Sequence, residues 1–296
     1  MTVRAAPWLL ATAFAAPPLS AQCLAGADPA GVECREPAPR WTGELATASA
    51  NAAIGGLTAG LVAAVRGRDF ADAFTRGALG GLASYVGKRL AAERFSGAGL
   101  LGREIGAVGA SMTRNAAEGR GLLDLIVLPI GPVRLALDRG SGERISLGAK
   151  LDLTAAGWIV YGVAEPGLEL DWADSFSAGT AVFRTRGTIM KLRGGGLAAG
   201  LTNAGVVYAA DVAAFGRSFA ARSVAHERVH VIQEDQLFTI WTDPLEDWAV
   251  DRLGVGAANR YVDLNLSTEL LELLGRAIAD HGARPWELEA IFLARE

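Results

Sequence analysis

Apolar residues recur every three or four positions between about residues 45 and 121, in a stretch rich in Ala, Gly and Leu. This period is typical of helices with one apolar face. It is carried by Ile54, Leu57, Leu61, Val65, Phe70, Phe74, Leu82, Val86, Leu90, Leu101, Ile105, Val108 and Met112. We therefore predict a helical subdomain over residues 45–121, built from about three or four closely packed helices.

From residue 122 to about residue 208 the period changes to two, which is typical of β-strands. One predicted strand has an apolar face made of Leu147, Ala149, Leu151 and Leu153. Further strand-like runs cover residues 133–137, 158–163, 168–172, 180–183, 188–192 and 206–208. Turns marked by Gly and Pro separate them, so we predict an antiparallel sheet of about five or six strands.

Helical patterning returns at Ser218 and continues to the C-terminus. Pro244 and Pro285 each stand where proline commonly opens a helix, at its first position. The order of Gly/Ala-rich helices, an antiparallel sheet and then further helices predicts an α+β fold. We expect the sheet and the C-terminal helices to form one domain over residues 122–296.

The start of the chain is typical of an exported protein. Residues 1–21 combine an early basic residue, an apolar run and a small-residue cleavage site, which predicts a signal peptide. Residues 22–44, rich in Pro, Gly and charge, are predicted to be a linker. The only two cysteines, Cys23 and Cys34, lie in it and predict a local disulfide in an oxidising compartment. The alternative for Cys23 is a lipid anchor.

Composition and charge narrow the partners. A chain with 51% hydrophobic and 20% charged residues is not disordered, and a net charge of -4 without a block of Lys or Arg argues against nucleic acid. Residues 45–65 carry no charge and are long enough to cross a bilayer, although most of them are small. Membrane association through residues 45–65 and a soluble helical subdomain both remain open. In either case small residues allow close helix contact, namely Gly56, Gly60, Gly77 and Gly81.

The strongest chemical signal is the HExxH motif His226-Glu227-Arg228-Val229-His230, in a chain with only three histidines. Residues four apart lie one turn above each other on a helix, so both imidazoles can bind one Zn²⁺ while Glu227 reaches a metal-bound water. No Pro or Gly interrupts residues 218–238, and five apolar residues can seat that helix in a core: Val224, Val229, Val231, Ile232 and Leu237. The alternative is two histidines on the polar face of an ordinary helix.

A zinc site of this kind needs a third protein ligand. Glu246 is the preferred candidate, because it shares a face with apolar residues in the helix that follows Pro244, and a glutamate on such a stripe needs a partner. The alternative for Glu246 is a capping box with Asp243, which needs no metal. His281, the remaining histidine, is a second candidate.

The segment Val224–Gln233 resembles the bacterial metallopeptidases whose motif reads AHE-x-x-H-V-x-Q, within the thermolysin-like class that uses a glutamate as third ligand. Residues 204–208 stand where that family has a short strand, and Glu246–Asp251 is similar to its later Glu-x-x-Ala-x-Asp segment. The resemblance covers about residues 200–255. The chain departs from the pattern at Arg228 and at Glu234, where the family has a second glutamine.

Motif and resemblance together imply zinc as the cofactor and a peptide or protein as the substrate. Glu227 is then the general base, and Gln233, two turns from His226, can orient a ligand. Tyr261 and His281 are candidate donors to the transition state. The strand formed by Val206, Val207 and Tyr208 is expected at an exposed edge that binds an extended peptide.

Two functions follow from these observations. The first is an exported zinc metallopeptidase that acts in the periplasm or outside the cell. The second is a non-catalytic envelope protein, in which the Gly/Ala-rich helices dock to a membrane or a partner and the HExxH helix is structural or merely binds a metal.

Overall fold

The computed structural model describes residues 40–140, 145–185, 190–191, 197–198, 200–210, 217–242, 244, 261–265 and 284–294. The predicted signal peptide over residues 1–21 and the predicted disulfide of Cys23 and Cys34 lie outside these residues. The predicted linker ends before residue 44, because the first helix already begins at Arg40.

The N-terminal part of the described chain is an antiparallel arrangement of three helices in close contact. They are α1 (Arg40–Val65), α2 (Phe70–Ala91) and α3 (Ala98–Glu118). Asp69 caps α2 by accepting a hydrogen bond from the Asp72 N–H at 2.7 Å. Gly119, at a φ of 67°, ends α3 in the left-handed conformation that favours glycine. The Gly/Ala-rich N-terminal helices of the predicted α+β fold are confirmed.

Glycines permit these helices to touch at the backbone on both sides of α2. A Cβ at Gly81 would overlap the carbonyl oxygen of Asn51 on α1, and a Cβ at Gly87 would lie 2.5 Å from the Gly106 nitrogen on α3. Gly77 faces Gly55 in the same way. Helix α2 is therefore held between its neighbours at a spacing that a larger residue would prevent.

Helix α1 contains the one stretch in the described chain that is long and apolar enough to cross a membrane, Thr42–Val65. Only 33% of its most apolar window is buried, and Leu45, Ile54, Leu61 and Val65 are exposed. Buried helices of soluble proteins also reach this length and composition. Membrane association through residues 45–65 therefore stays a prediction.

The described strands form two four-stranded sheets and one short hairpin. The strands are β1 (Leu125–Ile130), β2 (Val133–Asp138), β3 (Ser146–Asp152), β4 (Leu168–Leu170), β5 (Val182–Thr185), β6 (Met190–Lys191), β7 (Leu197–Ala198), β8 (Gly200–Asn203), β9 (Val206–Ala209) and β10 (Val262–Asp263). The first sheet has the order β1-β2-β3-β10, the second β4-β5-β9-β8, and β6 pairs with β7. The predicted single antiparallel sheet is wrong, because β10 runs parallel to β3 and β9 runs parallel to β5.

The other helices whose bounds lie within the described residues are α4 (Leu153–Ala164), α5 (Trp172–Ala178), α6 (Arg217–Leu237) and α7 (Pro285–Leu293). A π-helical turn, Phe238–Thr242, continues α6. Together with the two mixed sheets these elements give the α+β fold that the sequence predicts.

Residues 158–163, predicted as a strand, lie in helix α4. Asp152 caps this helix by accepting a hydrogen bond from the Ala155 N–H at 2.8 Å. Trp158 and Ile159 then pack on the second sheet against buried Phe183. Residues 155–164 carry no charge, so their apolar pattern does not separate a buried strand from a buried helix.

Strand β3 forms where it is predicted, but its apolar face lies open to solvent. Leu147 is 73% exposed, Ala149 and Leu151 are also exposed, and Leu153 already belongs to α4. The buried side of this sheet instead presents Arg134 to the interior, where it pairs with acidic residues. Alternation therefore predicts the strand here but not which of its faces is covered.

Helix α6 lies at the centre of the described structure. Its Ile232 packs on Gly106 of α3, its Val231 on Val207 of β9, and its Val229 on α7. Four of the five residues predicted to seat this helix are fully buried: Val224, Val229, Val231 and Ile232.

Replacing Gly81 with alanine is expected to lower the free energy of unfolding by about 1–3 kcal/mol, because the new Cβ would overlap the α1 backbone. The measurement is chemical denaturation followed by circular dichroism. Gly157→Ala in α4 is the matched control, since a Cβ there meets no atom within 4 Å. The control should be neutral or slightly stabilising, and equal destabilisation of both variants would contradict the close packing of α1 and α2.

Candidate metal centre

His226 and His230 on α6 and Glu287 on α7 converge on one point. The two Nε2 atoms lie 2.9 Å apart, and the Glu287 Oε2 atom lies 3.3 Å from each of them. Donor atoms at these separations can all reach a single ion at zinc–ligand distances of about 2.0–2.2 Å. The group formed by His226, His230 and Glu287 can therefore hold a metal ion.

Gln233 fixes the tautomer of His230. Its amide nitrogen donates hydrogen bonds to the Trp286 carbonyl oxygen at 3.1 Å and to Glu289 at 2.8 Å. The amide oxygen therefore faces the His230 Nδ1 atom, 2.7 Å away, and accepts its proton. In the neutral imidazole the Nε2 lone pair then faces Glu287 and His226, as a metal ligand requires. Gln233 thus contacts His230, and its predicted role in orienting a metal ligand stays a prediction.

Glu287 reaches the imidazole pair because α7 docks on α6. Pro285 occupies the first position of α7, so Glu287 lies in its first turn. Glu287, Ala290 and Leu293 are buried on one face of this helix, and the two apolar residues pack against Val229. The face that docks α7 on the motif helix thus also carries the carboxylate.

Glu287 is a candidate metal ligand that the sequence analysis does not single out. The sequence signal for Glu287 is a glutamate on the apolar face of a helix that begins with proline. Glu246, which follows Pro244, shows the same pattern. Both glutamates fit that pattern, so the pattern alone does not separate them. Glu246 and His281 lie outside the described residues, and their predicted roles stay predictions.

Tyr261 is described, but it lies beside the first sheet. Its carbonyl oxygen accepts a hydrogen bond from the Leu151 N–H at 2.8 Å, and 70% of the residue is exposed. Within the described part of the chain no hydrogen bond joins its ring to the imidazole pair. Its predicted role as a transition-state donor gains no support from this position.

Glu227 is buried between α6 and strand β8. Its Oε2 atom accepts a hydrogen bond from the Thr202 hydroxyl at 2.7 Å, and its Oε1 atom lies so close to Gly200 that a Cβ there would overlap it. The carboxylate is thus confined at the edge of the second sheet, and its negative charge acts on the neighbouring His230.

The pKa of His230 is raised to about 9. Burial by itself lowers this pKa, but the hydrogen bond to Glu287 and the negative charges of Glu227 and Glu287 outweigh burial. Without a metal the imidazolium is therefore the favoured form at neutral pH. A cation that binds here must displace that proton.

Arg228, the charged residue inside the motif, points away from the metal ligands. Its guanidinium donates hydrogen bonds to the Ser177 hydroxyl at 3.0 Å and to the Glu93 carbonyl oxygen at 3.4 Å. Its stem lies against Gly99 of α3. Burial lowers the pKa of Arg228. The charge at this position is therefore accommodated on the opposite face of α6 and leaves the candidate site unobstructed.

Glu234, the second departure from the family motif, holds the turn between β8 and β9. Its Oε2 atom accepts a hydrogen bond from the Gly205 N–H at 2.7 Å. Ala204 and Gly205 both have positive φ, 48° and 76°, so this tight turn is strained at Ala204. The carboxylate therefore serves the turn next to the candidate site.

The predicted edge strand is in fact an inner strand. Val206, Val207 and Tyr208 lie in β9, which pairs with β5 on one side and β8 on the other, and all three are buried. Among the described strands, β8 is the one at the edge of this sheet next to α6. The turn at Ala204 and Gly205 folds β8 back on β9, so β8 and not β9 lies outermost on this side of the sheet.

Comparisons with known proteins find no match for this chain among protein-family models, curated proteins or solved structures. The resemblance to the AHE-x-x-H-V-x-Q metallopeptidases therefore stays a prediction from the motif.

Glu287→Gln is expected to weaken metal binding by more than about 100-fold, beyond the usual effect of a residue behind the ligands. The neutral side chain keeps the packing of α7 and removes the anionic ligand. The measurement is zinc affinity by competition with a chromophoric chelator. Glu246→Gln is the comparison, and loss of affinity in that variant alone would make Glu246 the third ligand instead.

The stability of the metal-free protein is expected to fall as the pH rises through the folded-state pKa of His230, about 9. A raised pKa stabilises the fold fully below the ordinary value of 6.5, and this contribution disappears at higher pH. Urea denaturation of chelator-treated protein from pH 6 to 9.5 measures the effect. In His230→Gln the free energy of unfolding should lack this part of the decrease with pH. Identical pH profiles of stability in the variant and the wild type would contradict the raised pKa of His230.

Proposed function

We propose that this protein is a zinc-dependent metallopeptidase. The observation that carries the proposal is the convergence of two imidazoles and a carboxylate, His226, His230 and Glu287, within 3.3 Å of one another on an HExxH helix. Two nitrogen donors and one carboxylate oxygen form the ligand set of many catalytic zinc sites, in which the fourth position holds water.

The chemistry of the donors favours zinc over other divalent cations. Magnesium and calcium prefer oxygen ligands, whereas zinc binds imidazole nitrogen together with a carboxylate. The Gln233 hydrogen bond to the His230 Nδ1 atom supports this choice, because it retains the proton on Nδ1, so that loss of the other ring proton to a binding cation directs the Nε2 lone pair into the group.

When bound, zinc supplies a Lewis acid that activates water and polarises the scissile carbonyl. Glu227 acts as the general base, accepts the proton of the attacking water at its carboxylate and passes it to the leaving amine. The Thr202 hydroxyl holds this carboxylate in one orientation. Burial of Glu227 excludes bulk water from the proton-transfer step.

An extended peptide fits the edge of the second sheet. Strand β8 is the edge strand beside α6, and the Glu227 carboxylate touches it at Gly200 and Thr202. Pairing of a peptide backbone with this edge would bring its carbonyl groups near the general base. The proposed substrate strand is therefore β8, in place of Val206, Val207 and Tyr208.

Glu227→Gln tests the catalytic role. Hydrolysis of an unstructured protein substrate such as casein should fall by about 10²–10⁴-fold, because the amide does not accept a proton, while the zinc content stays at the wild-type value. Activity is followed by release of acid-soluble peptides, and zinc by atomic absorption. Full activity in the variant, or wild-type protein without zinc, would reject the proposal.

A second function, a membrane-associated envelope protein without catalysis, is favoured by the apolar helix Thr42–Val65. Its exposed aliphatic residues, Leu45, Ile54, Leu61 and Val65, would then face lipid. Fractionation with membranes, together with chelator-insensitive behaviour, would support this function. The predicted export to the periplasm or outside the cell is compatible with either function.

A further inference from the structure

A buried ionic cluster lies behind the candidate metal group, on the side of the N-terminal helices. Lys88 of α2 and Glu289 of α7 form an ion pair at 2.9 Å, and both side chains are almost entirely buried. Asn51 of α1 completes the cluster, because its amide nitrogen donates to Glu289 at 2.6 Å and its amide oxygen accepts from the Lys88 Nζ atom at 2.9 Å. Every member of the cluster thus has a partner.

The cluster connects directly to a metal ligand. The Glu289 Oε2 atom that pairs with Lys88 also accepts the Gln233 amide hydrogen at 2.8 Å. Gln233 in turn accepts from His230 at 2.7 Å. Three consecutive contacts thus lead from Lys88 of α2 through Glu289 of α7 and Gln233 of α6 to the imidazole.

The direction of each hydrogen bond depends on the charge of Glu289. An ionised carboxylate only accepts, so the Gln233 amide must turn its nitrogen toward Glu289 and its oxygen toward His230. The Lys88 ammonium lies 2.9 Å from the Glu289 Oε2 atom, and the Asn51 amide nitrogen donates to Oε1 at 2.6 Å. Both carboxylate oxygens therefore act as acceptors, and the Gln233 amide is held with its nitrogen toward them.

We propose that Lys88 and Asn51, from the N-terminal helices, are positioning residues of the metal site, acting through Glu289 and Gln233 on His230. The proposal rests on the proposed function in one respect, the binding of a metal by His230. The Gly/Ala-rich helices then contribute to the metal site. Gly81 of α2 allows the α1 backbone at Asn51 to lie directly against α2.

Zinc affinity of the purified full-length protein tests this inference, by competition with a chromophoric chelator. Lys88→Met should weaken zinc binding by about 10–100-fold, because Glu289 loses its cation and the orientation of Gln233 is released. Glu289→Gln should weaken binding in the same range. The double variant should be no weaker than the more affected single variant, since both substitutions act through Gln233.

A spectroscopic readout separates positioning from general destabilisation. With Co²⁺ in place of zinc, the visible absorption of Lys88→Met should differ from that of the wild type, because the geometry around the ion has changed. Lys150→Met is the matched control, since Lys150 also pairs with a buried carboxylate, Asp263, at 2.9 Å but in the first sheet. This control should lower stability and leave the cobalt spectrum and the zinc affinity at wild-type values.

The outcomes are distinct. Wild-type protein that binds no zinc would overturn the proposed function. Zinc-binding wild type with unchanged affinity and cobalt spectrum in Lys88→Met would overturn the inference alone, as would equal weakening by Lys150→Met. If Lys88→Met does not fold, the uncharged double variant Lys88→Met/Glu289→Gln decides, and wild-type affinity in that protein would reject the positioning role.

Discussion

Helix α6 carries five buried polar or charged side chains next to its two histidines, and the need to pair each of them determines how the other elements dock. They are Glu227, Arg228, Gln233, Glu234 and Asp235. A buried polar group without a partner costs about 1–3 kcal/mol, and a charged one costs more. Each of the five therefore requires a neighbouring element at one place and in one orientation.

The partners come from almost every part of the described structure. Thr202 of β8 pairs with Glu227, Ser177 of α5 with Arg228, Glu289 of α7 with Gln233, the β8–β9 turn with Glu234, and Arg103 of α3 and Arg134 of β2 with Asp235. Arg134 also pairs with Asp152, the residue that caps α4. The two sheets and the helical subdomain are thus joined through one helix, and the candidate metal group lies on the same helix.

Opposite faces of α6 contact different elements. His226, His230 and Gln233 share one face and meet α7, whereas Arg228 points to the opposite face and meets α5. A charged residue inside the HExxH motif therefore does not disturb the metal group. The candidate third ligand follows from the same docking, because α7 presents Glu287 to the imidazoles and Glu289 to Gln233.

The sequence by itself determined the local features: the N-terminal helices, the motif helix with its buried Val229 and Ile232, and the position of Gln233 on the face of that helix that carries His226. Each depends on the spacing of residues within one helix, which can be read directly from the sequence. Only the tertiary structure decided that Glu287 lies beside the imidazoles, that β9 is an inner strand and that residues 158–163 are helical. Glu246 and Glu287 have similar local sequence patterns, so the sequence does not distinguish them. The strand order and the buried face of a sheet depend on contacts between residues far apart in the chain, and a local pattern does not predict such contacts.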